Sequence, residues 1–169
     1  QRYNNNQNKD NRMAPNGLLP ISEERGDIEV NQFYGSVLAR EVWQNKKITK
    51  KGDNLGFGRR VTVLPSAGIE LSYVDGYKYK IRSVEAASFA MSDENIFDFH
   101  SGSFSLASLE SNSLCLVKSP LSEFHLKSDD PFAVLFAVTT NGGLKIIGLL
   151  GEIELIQKNK PSISLRPGQ

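Results

Sequence analysis

The chain has 169 residues, of which 39% are hydrophobic and 23% are charged, and its formal net charge is +1. This length and composition predict one globular domain that buries a core without disulfides or a structural metal. Its 20 basic and 19 acidic residues nearly cancel. The chain therefore lacks the broad positive field with which proteins bind nucleic acid or anionic membranes, and we expect neither partner. It also lacks a run of roughly 20 apolar residues, so no membrane span is predicted.

The first 28 residues are rich in asparagine and other polar side chains. Such a segment has little apolar surface to offset the entropy of ordering, which predicts a polar linker or an extended arm over residues 1–28. If it is an arm, Leu18, Leu19 and Ile21 are the residues expected to lie on a neighbouring subunit. The chain starts at Gln1 without an initiator methionine or a charged-then-apolar leader, so we expect a processed product or part of a longer polypeptide.

Residues 29–169 consist of short segments of alternating polarity separated by glycine turns, a pattern typical of β-strands. Residues 35–43 predict a first strand that closes on a polar turn at 44–47. Only 84–91 has a helical composition, and it is too short and too poorly capped to be predicted as a helix. The predicted fold class is therefore all-β, with many short antiparallel strands in a sandwich or a solenoid-like β module.

The clearest predicted hairpin joins residues 69–74 to 77–82 through a tight Asp75-Gly76 turn, because these residue types supply the positive backbone dihedrals that such a turn requires. Alternation with period two assigns Ile69, Leu71, Tyr73, Tyr77, Tyr79 and Ile81 to apolar faces, and Lys78, Lys80 and Arg82 to the opposite side of the return strand. The three cations indicate either a solvated sheet face that discourages edge pairing or a phosphate- or glycan-binding strip with tyrosine stacking.

Three further features concern the second half of the chain. Residues 96–100 and 104–106 predict another hairpin, turning through residues 101–103. Residues 132–138 are apolar at every position, which predicts a strand covered on both faces at the centre of the core. The glycine turn at 141–143 then predicts a hairpin with the strand that follows.

The sequence contains no pattern typical of a catalytic, cofactor or metal site. Cys115 has apolar neighbours and is predicted to be a small core residue. His100 and His125 are too far apart to form a helical metal-binding pair, and no Gly-x-Ser-x-Gly elbow is present. Gly56-Phe57-Gly58 does not extend into a phosphate-binding motif. We therefore predict no enzyme activity, no cofactor and no metal.

Four residues near turns are candidates for binding a protein partner. Trp43, Phe57, Arg59 and Arg60 are of the aromatic and arginine types that dominate binding energy at protein interfaces. For Trp43 and Phe57 the alternative is packing into the core.

Several segments follow one another in the order of a known β-rich family. Residues 35–38 and 48–55 resemble a strand followed by "l-x-x-G-D-x-l", and residues 67–76 resemble an "a-x-l-x-f-x-D-G" hairpin. Residues 97–104, 144–155 and 163–169 are similar to "l-x-l-x-x-G-x-v", "v-x-V-x-x-G-x-V-x-V" and "v-x-L-x-x-G-q". Together they resemble the FecR-like domain family, periplasmic β-rich domains named for the iron-dicitrate sensor FecR. Residues 134–138 depart from the pattern, because they lack the family's Gly-Thr before the phenylalanine.

This resemblance covers residues 35–169 and implies a FecR-like β domain over residues 29–169, without enzymatic activity. It implies a subunit or accessory of a periplasmic or surface assembly, such as a secretion, surface or motility apparatus, in a bacterium with an outer membrane. The partners are then other envelope proteins or copies of the chain itself. Two alternatives remain open. One is a periplasmic signalling domain of an anti-sigma regulator, although the transmembrane segment and sigma-factor-binding helix of such regulators are absent from the sequence. The other is a carbohydrate-binding β module.

Overall fold

The computed structural model describes residues 27–40, 44–74 and 78–169, which form sixteen strands and no helix. In the first half of the chain the strands are β1 (Ile28–Tyr34), β2 (Val37–Arg40), β3 (Asn45–Lys47), β4 (Asn54–Leu55), β5 (Arg60–Val63), β6 (Gly68–Tyr73), β7 (Lys80–Val84) and β8 (Ala87–Asp93). In the second half they are β9 (Ile96–Ser101), β10 (Ser103–Ser108), β11 (Ser113–Ser119), β12 (Ser122–Ser128), β13 (Phe132–Val138), β14 (Leu144–Leu150), β15 (Ile153–Ile156) and β16 (Ile163–Leu165). The all-β prediction is confirmed.

The strands form two sheets that pack face to face. The seven-stranded sheet has the order β14-β13-β10-β7-β6-β1-β4, and the nine-stranded sheet has the order β16-β15-β12-β11-β9-β8-β5-β2-β3. Neighbouring strands are antiparallel except for the β9–β11 pair. The chain adds one or two strands to one sheet and then crosses to the other, so that strand order nearly follows chain order. The two sheets form the layers of a sandwich, and both extend in the same direction along the chain. One end of the sandwich has β3 and β4 as its edge strands, and the other end has β14 and β16.

A connected series of aromatic rings lies between the sheets. Neighbouring rings in this series have centroids 4.5 to 6.5 Å apart. Its members are Phe57, Tyr73, Tyr79, Phe89, Phe97, Phe99, Phe104, Phe124 and Phe136. Phe99 of β9 stacks on Phe104 of β10 and also contacts Phe136 of β13, so one side chain of the nine-stranded sheet binds two strands of the other. Each such pair adds about 0.5–1.5 kcal/mol to the free energy of area burial.

The predicted hairpin around Asp75-Gly76 exists as the β6–β7 pair, but its register is not that of a two-residue turn. Leu71 lies opposite Ile81, and the ladder ends at the Ser72–Lys80 pair. A two-residue turn at residues 75–76 places Leu71 opposite Lys80 instead. Residues that lie opposite each other share a face, so that register brings a lysine into the core, and burial of the apolar side chains determines the pairing. The turn residues themselves lie outside the described residues.

The predicted hairpin over residues 96–106 is wrong, because β9 and β10 belong to different sheets. The segment between them is a corner that carries the chain from one sheet to the other. Gly102 adopts a φ of +97° there, and an added Cβ meets the Cβ of Ala87 at 2.5 Å. A corner and a hairpin use the same turn residues, so the local sequence alone does not distinguish them.

Two local predictions are also corrected, and a third segment, not predicted as a helix, forms a strand. The apolar segment at 132–138 forms β13, but only one face of this strand lies in the core. Phe132, Val134 and Phe136 are buried, whereas the side chains that alternate with them are half-buried on the outer face. Residues 45–47, predicted to be part of a polar turn, form β3 against β2. The region with helical composition, residues 84–91, contributes its last five residues to β8 because Phe89 and Met91 alternate into the core.

Glycine at the Gly102 corner is required by both conformation and space. We expect Gly102→Ala to lower the free energy of unfolding by about 2–5 kcal/mol, combining about 1–2 kcal/mol for the left-handed backbone with about 1–3 kcal/mol for overpacking. Urea denaturation measures this change. Gly52→Ala is the matched control, because Gly52 has a φ of +87° and an added Cβ meets nothing within 4 Å. Equal losses in the two variants contradict a packing requirement at the corner.

Candidate functional site

The residues predicted from sequence to bind a partner do not all fall within the described part of the chain. Leu18, Leu19, Ile21 and Trp43 lie outside the described residues. Phe57 is half-buried, and its ring packs edge-to-face on Tyr73 with centroids 5.6 Å apart. Its packing therefore agrees with the core alternative, and its role in partner binding stays a prediction. Arg59 and Arg60 both line one cleft on the protein surface.

The arginine cleft lies on the nine-stranded sheet and has a volume of about 640 Å³. Its lining residues are Arg40, Gly58, Arg59, Arg60, Ala90, Ser92 and Asp98. Pairing across the strands explains this grouping, since Arg60 lies opposite Ala90 and Ala90 lies opposite Asp98. Ala90 is buried and is too short to fill the row, which leaves a cleft between the arginines on one side and the carboxylate on the other.

His100 links the two sides of the arginine cleft. Its Nε2 atom lies 2.8 Å from Nη2 of Arg60 and 3.4 Å from Oδ1 of Asp98. Guanidinium nitrogens only donate hydrogen bonds, so Nε2 of His100 is the acceptor of the bond from Arg60. The His100 ring therefore lies between the guanidinium of Arg60 and the carboxylate of Asp98.

Sequence reasoning identified Arg59 and Arg60 but missed Arg40 and Asp98 as parts of the same cleft. Arg40 ends β2 and Arg60 begins β5, and these antiparallel strands are neighbours in the sheet. The pairing of β8 and β9 then adds Asp98. Strand alternation was visible in the sequence, but which strands are adjacent was not, and adjacency decides which charges meet.

A second candidate surface lies at the β14/β16 end, where an apolar strip is exposed. We define the β14 strip as Ile147, Leu149 and Leu150, whose exposed fractions are 44%, 50% and 54%. Ile147 lies opposite Leu135 of β13, and this pair extends the strip along the outer face of the seven-stranded sheet. β14 is also an edge strand, so backbone groups on one side of it are not paired with a neighbouring strand.

The C-terminal residues cover part of the same edge strand. The amide of Gly148 donates to the carbonyl of Gln169 at 2.8 Å, and the amide of Gly168 donates to the carbonyl of Gly148 at 2.9 Å. An added Cβ on Gly148 meets the carbonyl oxygen of Arg166 at 2.8 Å, so the close approach of the two chain segments requires glycine. The tail thus pairs with β14 at one residue, next to the exposed strip.

An acidic groove of about 230 Å³ adjoins this end of the molecule. It is lined by Lys127, Ser128, Asp129, Asp130, Glu152, Ile153, Glu154 and Ser164. Ser128 holds its two loops together, because its hydroxyl lies 2.7 Å from the carbonyl of Asp130 and 3.0 Å from that of Glu152. Glu152 also faces Arg166 at 3.8 Å. The four carboxylates exceed the single lysine of the lining, so the groove is negatively charged.

The side chains of Cys115, Tyr73 and Tyr79 are buried. Burial raises the pKa of the Cys115 thiol from 9.0 to about 12 and raises the pKa of Tyr73 and Tyr79 above 10.0. Cys115 therefore remains a protonated thiol at neutral pH, in agreement with the prediction of a core residue. Tyr79 is fully buried, which removes it from the glycan-stacking strip considered from the sequence.

Comparison of the chain with family models, curated proteins and solved structures found no match. The fold defines the class of protein as an all-β protein of two stacked sheets. Within residues 27–40, 44–74 and 78–169, no three or more histidine, cysteine, aspartate or glutamate side chains are grouped so as to hold a metal ion. The same residues contain no helix of the length and apolarity that spanning a bilayer requires.

The raised pKa values predict that the protein is destabilised by alkali. The folded state holds the protons of Cys115, Tyr73 and Tyr79 more tightly than the unfolded chain does. Their contribution to stability is therefore complete below the unfolded-state pKa values of 9.0 and 10.0 and is lost as the pH rises above them. We expect the free energy of unfolding, measured with urea, to fall from about pH 9 upward. In Cys115→Ala the onset shifts toward about pH 10, and a flat profile to about pH 11 contradicts the prediction.

Proposed function

We propose that this chain is a non-enzymatic scaffold or protein-protein interaction domain that serves as a subunit or accessory of a cell-envelope assembly. The observation that carries the proposal is the β14 strip, in which three large apolar side chains are about half exposed along a sheet edge. Contiguous apolar surface of this kind on a folded protein marks a site of contact with another molecule. An edge strand adds backbone donors and acceptors with which a partner strand pairs.

The outer face of β13 supports the same proposal. Apolar side chains alternate with the core residues along this strand, and Leu135 lies between the core and solvent, opposite Ile147 of β14. A strand with one face in solvent does not need leucine or alanine there, since polar residues satisfy that position equally well. An apolar outer face at the edge of the sheet is better suited to a protein partner.

The envelope location rests on the resemblance to the FecR-like family, and two residues of the resembling segments have structural roles here. Asp53, in the Gly-Asp turn, is nearly buried and accepts hydrogen bonds from the amides of Thr49 and Lys50 at 3.0 and 3.2 Å. Gly151, the glycine of the "v-x-V-x-x-G-x-V-x-V" segment, has a φ of +71°, and an added Cβ there overlaps the carbonyl oxygen of Pro131. These roles give physical reasons for the two residue types.

The proposal predicts that the β14 strip is covered in the native envelope. Lys145 is exposed on β14, two residues before Ile147, and supplies an amine for crosslinking. We expect an amine-reactive crosslinker to capture adducts of the wild-type chain that mass spectrometry identifies as envelope proteins or further copies. Ile147→Gln with Leu149→Gln, which adds no amine, lowers the yield of these adducts at least about tenfold, the effect of losing roughly 1.4 kcal/mol of binding free energy.

The control for this experiment is Leu114→Gln. Leu114 is 52% exposed but lies on the outer face of the nine-stranded sheet, in the other layer from β14, so the adduct yield is expected to remain at the wild-type level. Circular dichroism verifies that each variant keeps its β structure. The proposal fails if the wild-type chain gives no adduct in the envelope and runs as a monomer without copurifying protein in size-exclusion chromatography with light scattering.

A further inference from the structure

We infer that the arginine cleft binds an acidic peptide segment of a protein partner, with Arg40 and Arg60 pairing with its carboxylates. This site rests on the proposed function, since it adds the chemistry of a partner to an interaction domain. The cleft belongs to the nine-stranded sheet, whereas the β14 strip belongs to the other sheet, so the two surfaces are separate and are tested separately.

Strand pairing brings two arginines of the cleft together. Ala39 of β2 lies opposite Val61 of β5, and both side chains are buried. One step further along these antiparallel strands come Arg40 and Arg60, which are therefore neighbours on the outer face of the sheet. Neighbouring strands are only about 4.8 Å apart, and like charges directly opposite each other in a sheet are destabilising. An anion that bridges the two guanidinium groups removes this repulsion.

Cations outnumber acids around these two arginines. Lys47 of β3 lies opposite Leu38, which alternates with buried residues of β2, so Lys47 is on the same outer face. Strands β2, β3 and β5 contain no acidic residue. Residues 44–60 contain six cations and one acid, Asp53, which is nearly buried and accepts hydrogen bonds from the amides of its own turn. This part of the sheet therefore attracts negative charge.

The two arginine head groups are placed to receive an anion. Arg40 is exposed, and its side chain makes no hydrogen bond or ion pair within residues 27–40, 44–74 and 78–169. Nη2 of Arg60 donates to Nε2 of His100 at 2.8 Å, which leaves most of its N–H donors for a ligand. This bond also orients the Arg60 guanidinium in advance, which reduces the side-chain entropy lost on binding. Guanidinium groups pair with carboxylates through two parallel hydrogen bonds.

The size of the cleft indicates a ligand larger than a single ion. Its floor is formed by small residues, because Gly58 has no side chain and Ala90 lies between Arg60 and Asp98 in the row across the strands. Its volume of about 640 Å³ falls within the range of about 300–1,000 Å³ that is typical of sites for whole small molecules. Several side chains of a peptide therefore fit in the cleft.

Asp98 determines which kind of anionic ligand the cleft favours. Its carboxylate lines the cleft on the side away from Arg40. A nucleic acid duplex carries one negative charge per about 1.7 Å, and an anionic membrane is also negative throughout, so either polyanion places charge against Asp98. A peptide instead places carboxylates at the arginines and a neutral or basic residue at Asp98. A lining with both signs of charge therefore favours a segment of a protein.

The test is a two-dimensional NMR titration of the isotopically labelled full chain at low salt. The probe is a peptide of two glutamates, two glycines and one lysine, and the same peptide with glutamines is its control. We expect saturable shifts of the amides around Arg40, Arg60 and Ala90, and binding that weakens as salt is added, because exposed charges are screened. The glutamine peptide is expected to cause no such shifts.

Variants of the arginines test whether these side chains bind the peptide. Arg40→Gln with Arg60→Gln is expected to weaken binding at least about tenfold. Arg40→Lys with Arg60→Lys is expected to lose less affinity, because it keeps the charge but not the paired hydrogen bonds. Arg82→Gln with Arg166→Gln is the matched control with wild-type affinity, since it removes two exposed arginines from β7 and from the segment after β16. Circular dichroism verifies the β structure of each variant.

Asp98→Asn gives a change of opposite sign for two peptides. The affinity for the lysine-containing peptide is expected to fall, because its lysine loses a partner. The affinity for hexaglutamate is expected to rise, because a repelling charge is removed from the cleft. A purely structural role of Asp98 changes both affinities in the same direction and contradicts the assignment of Asp98 to the ligand site.

Three other results overturn the inference. They are the absence of peptide-induced shifts at the cleft, an equal loss of affinity in the Arg82 and Arg166 control, and stronger binding to phosphatidylglycerol vesicles or to inorganic phosphate than to the peptide. The last result indicates a membrane or a lone anion as the ligand. If the peptide does not bind while envelope crosslinking still captures adducts through the β14 strip, the cleft inference fails and the proposed function stands.

Discussion

The contact between aromatic rings across the two sheets is the constraint on which the rest of the structure depends. The rings of Phe97 and Phe99 come from β9, and they meet Tyr79, Phe104 and Phe136, which belong to the opposite sheet or its connections. Short strands pair weakly on their own, and a sheet with one apolar face becomes stable only when that face is covered. The ring series provides this cover over several strands, and it fixes how far apart the sheets lie and which strands face each other.

Strand content could be predicted because period-two alternation is local. It identified the strands around Leu71 and Ile81, where apolar side chains point into the core. It also identified these two strands as partners, because a short turn joins them, but it did not identify their register. The β9–β10 segment contains two stretches of alternating apolar and polar residues on either side of a glycine, a pattern that is also typical of a hairpin. In this structure, however, the chain passes at Gly102 from one sheet to the other. Whether two such strands pair as a hairpin or lie in different sheets depends on where the other strands of the protein are. The local sequence does not contain that information.

For the candidate surfaces, too, residue types could be predicted from the local sequence, whereas the neighbours of each residue in the fold could not. Arg59 and Arg60 were identifiable because their residue type favours interfaces and because they stand beside a turn. Arg40 and Asp98 join them only through the pairing of β2, β5, β8 and β9. The β14 strip was concealed for another reason. Its leucines and isoleucines suit a core strand as well as an exposed edge, and its position at the end of the sheet is what leaves them exposed.

The progressive topology explains why this domain has sheet edges at both ends. A barrel closes its sheet and removes its edges, whereas two sheets extended strand by strand keep an edge of each sheet at both ends. A short strand reduces the exposed edge at β3 and β4, and the pairing of the C-terminal residues with Gly148 covers part of β14. The remainder of β14 is neither shortened nor charged along Ile146, Ile147, Leu149 and Leu150. Edges that stay solvent-exposed are usually protected by charge or by a short strand, and the lack of such protection along β14 is the reason for proposing a partner that covers it.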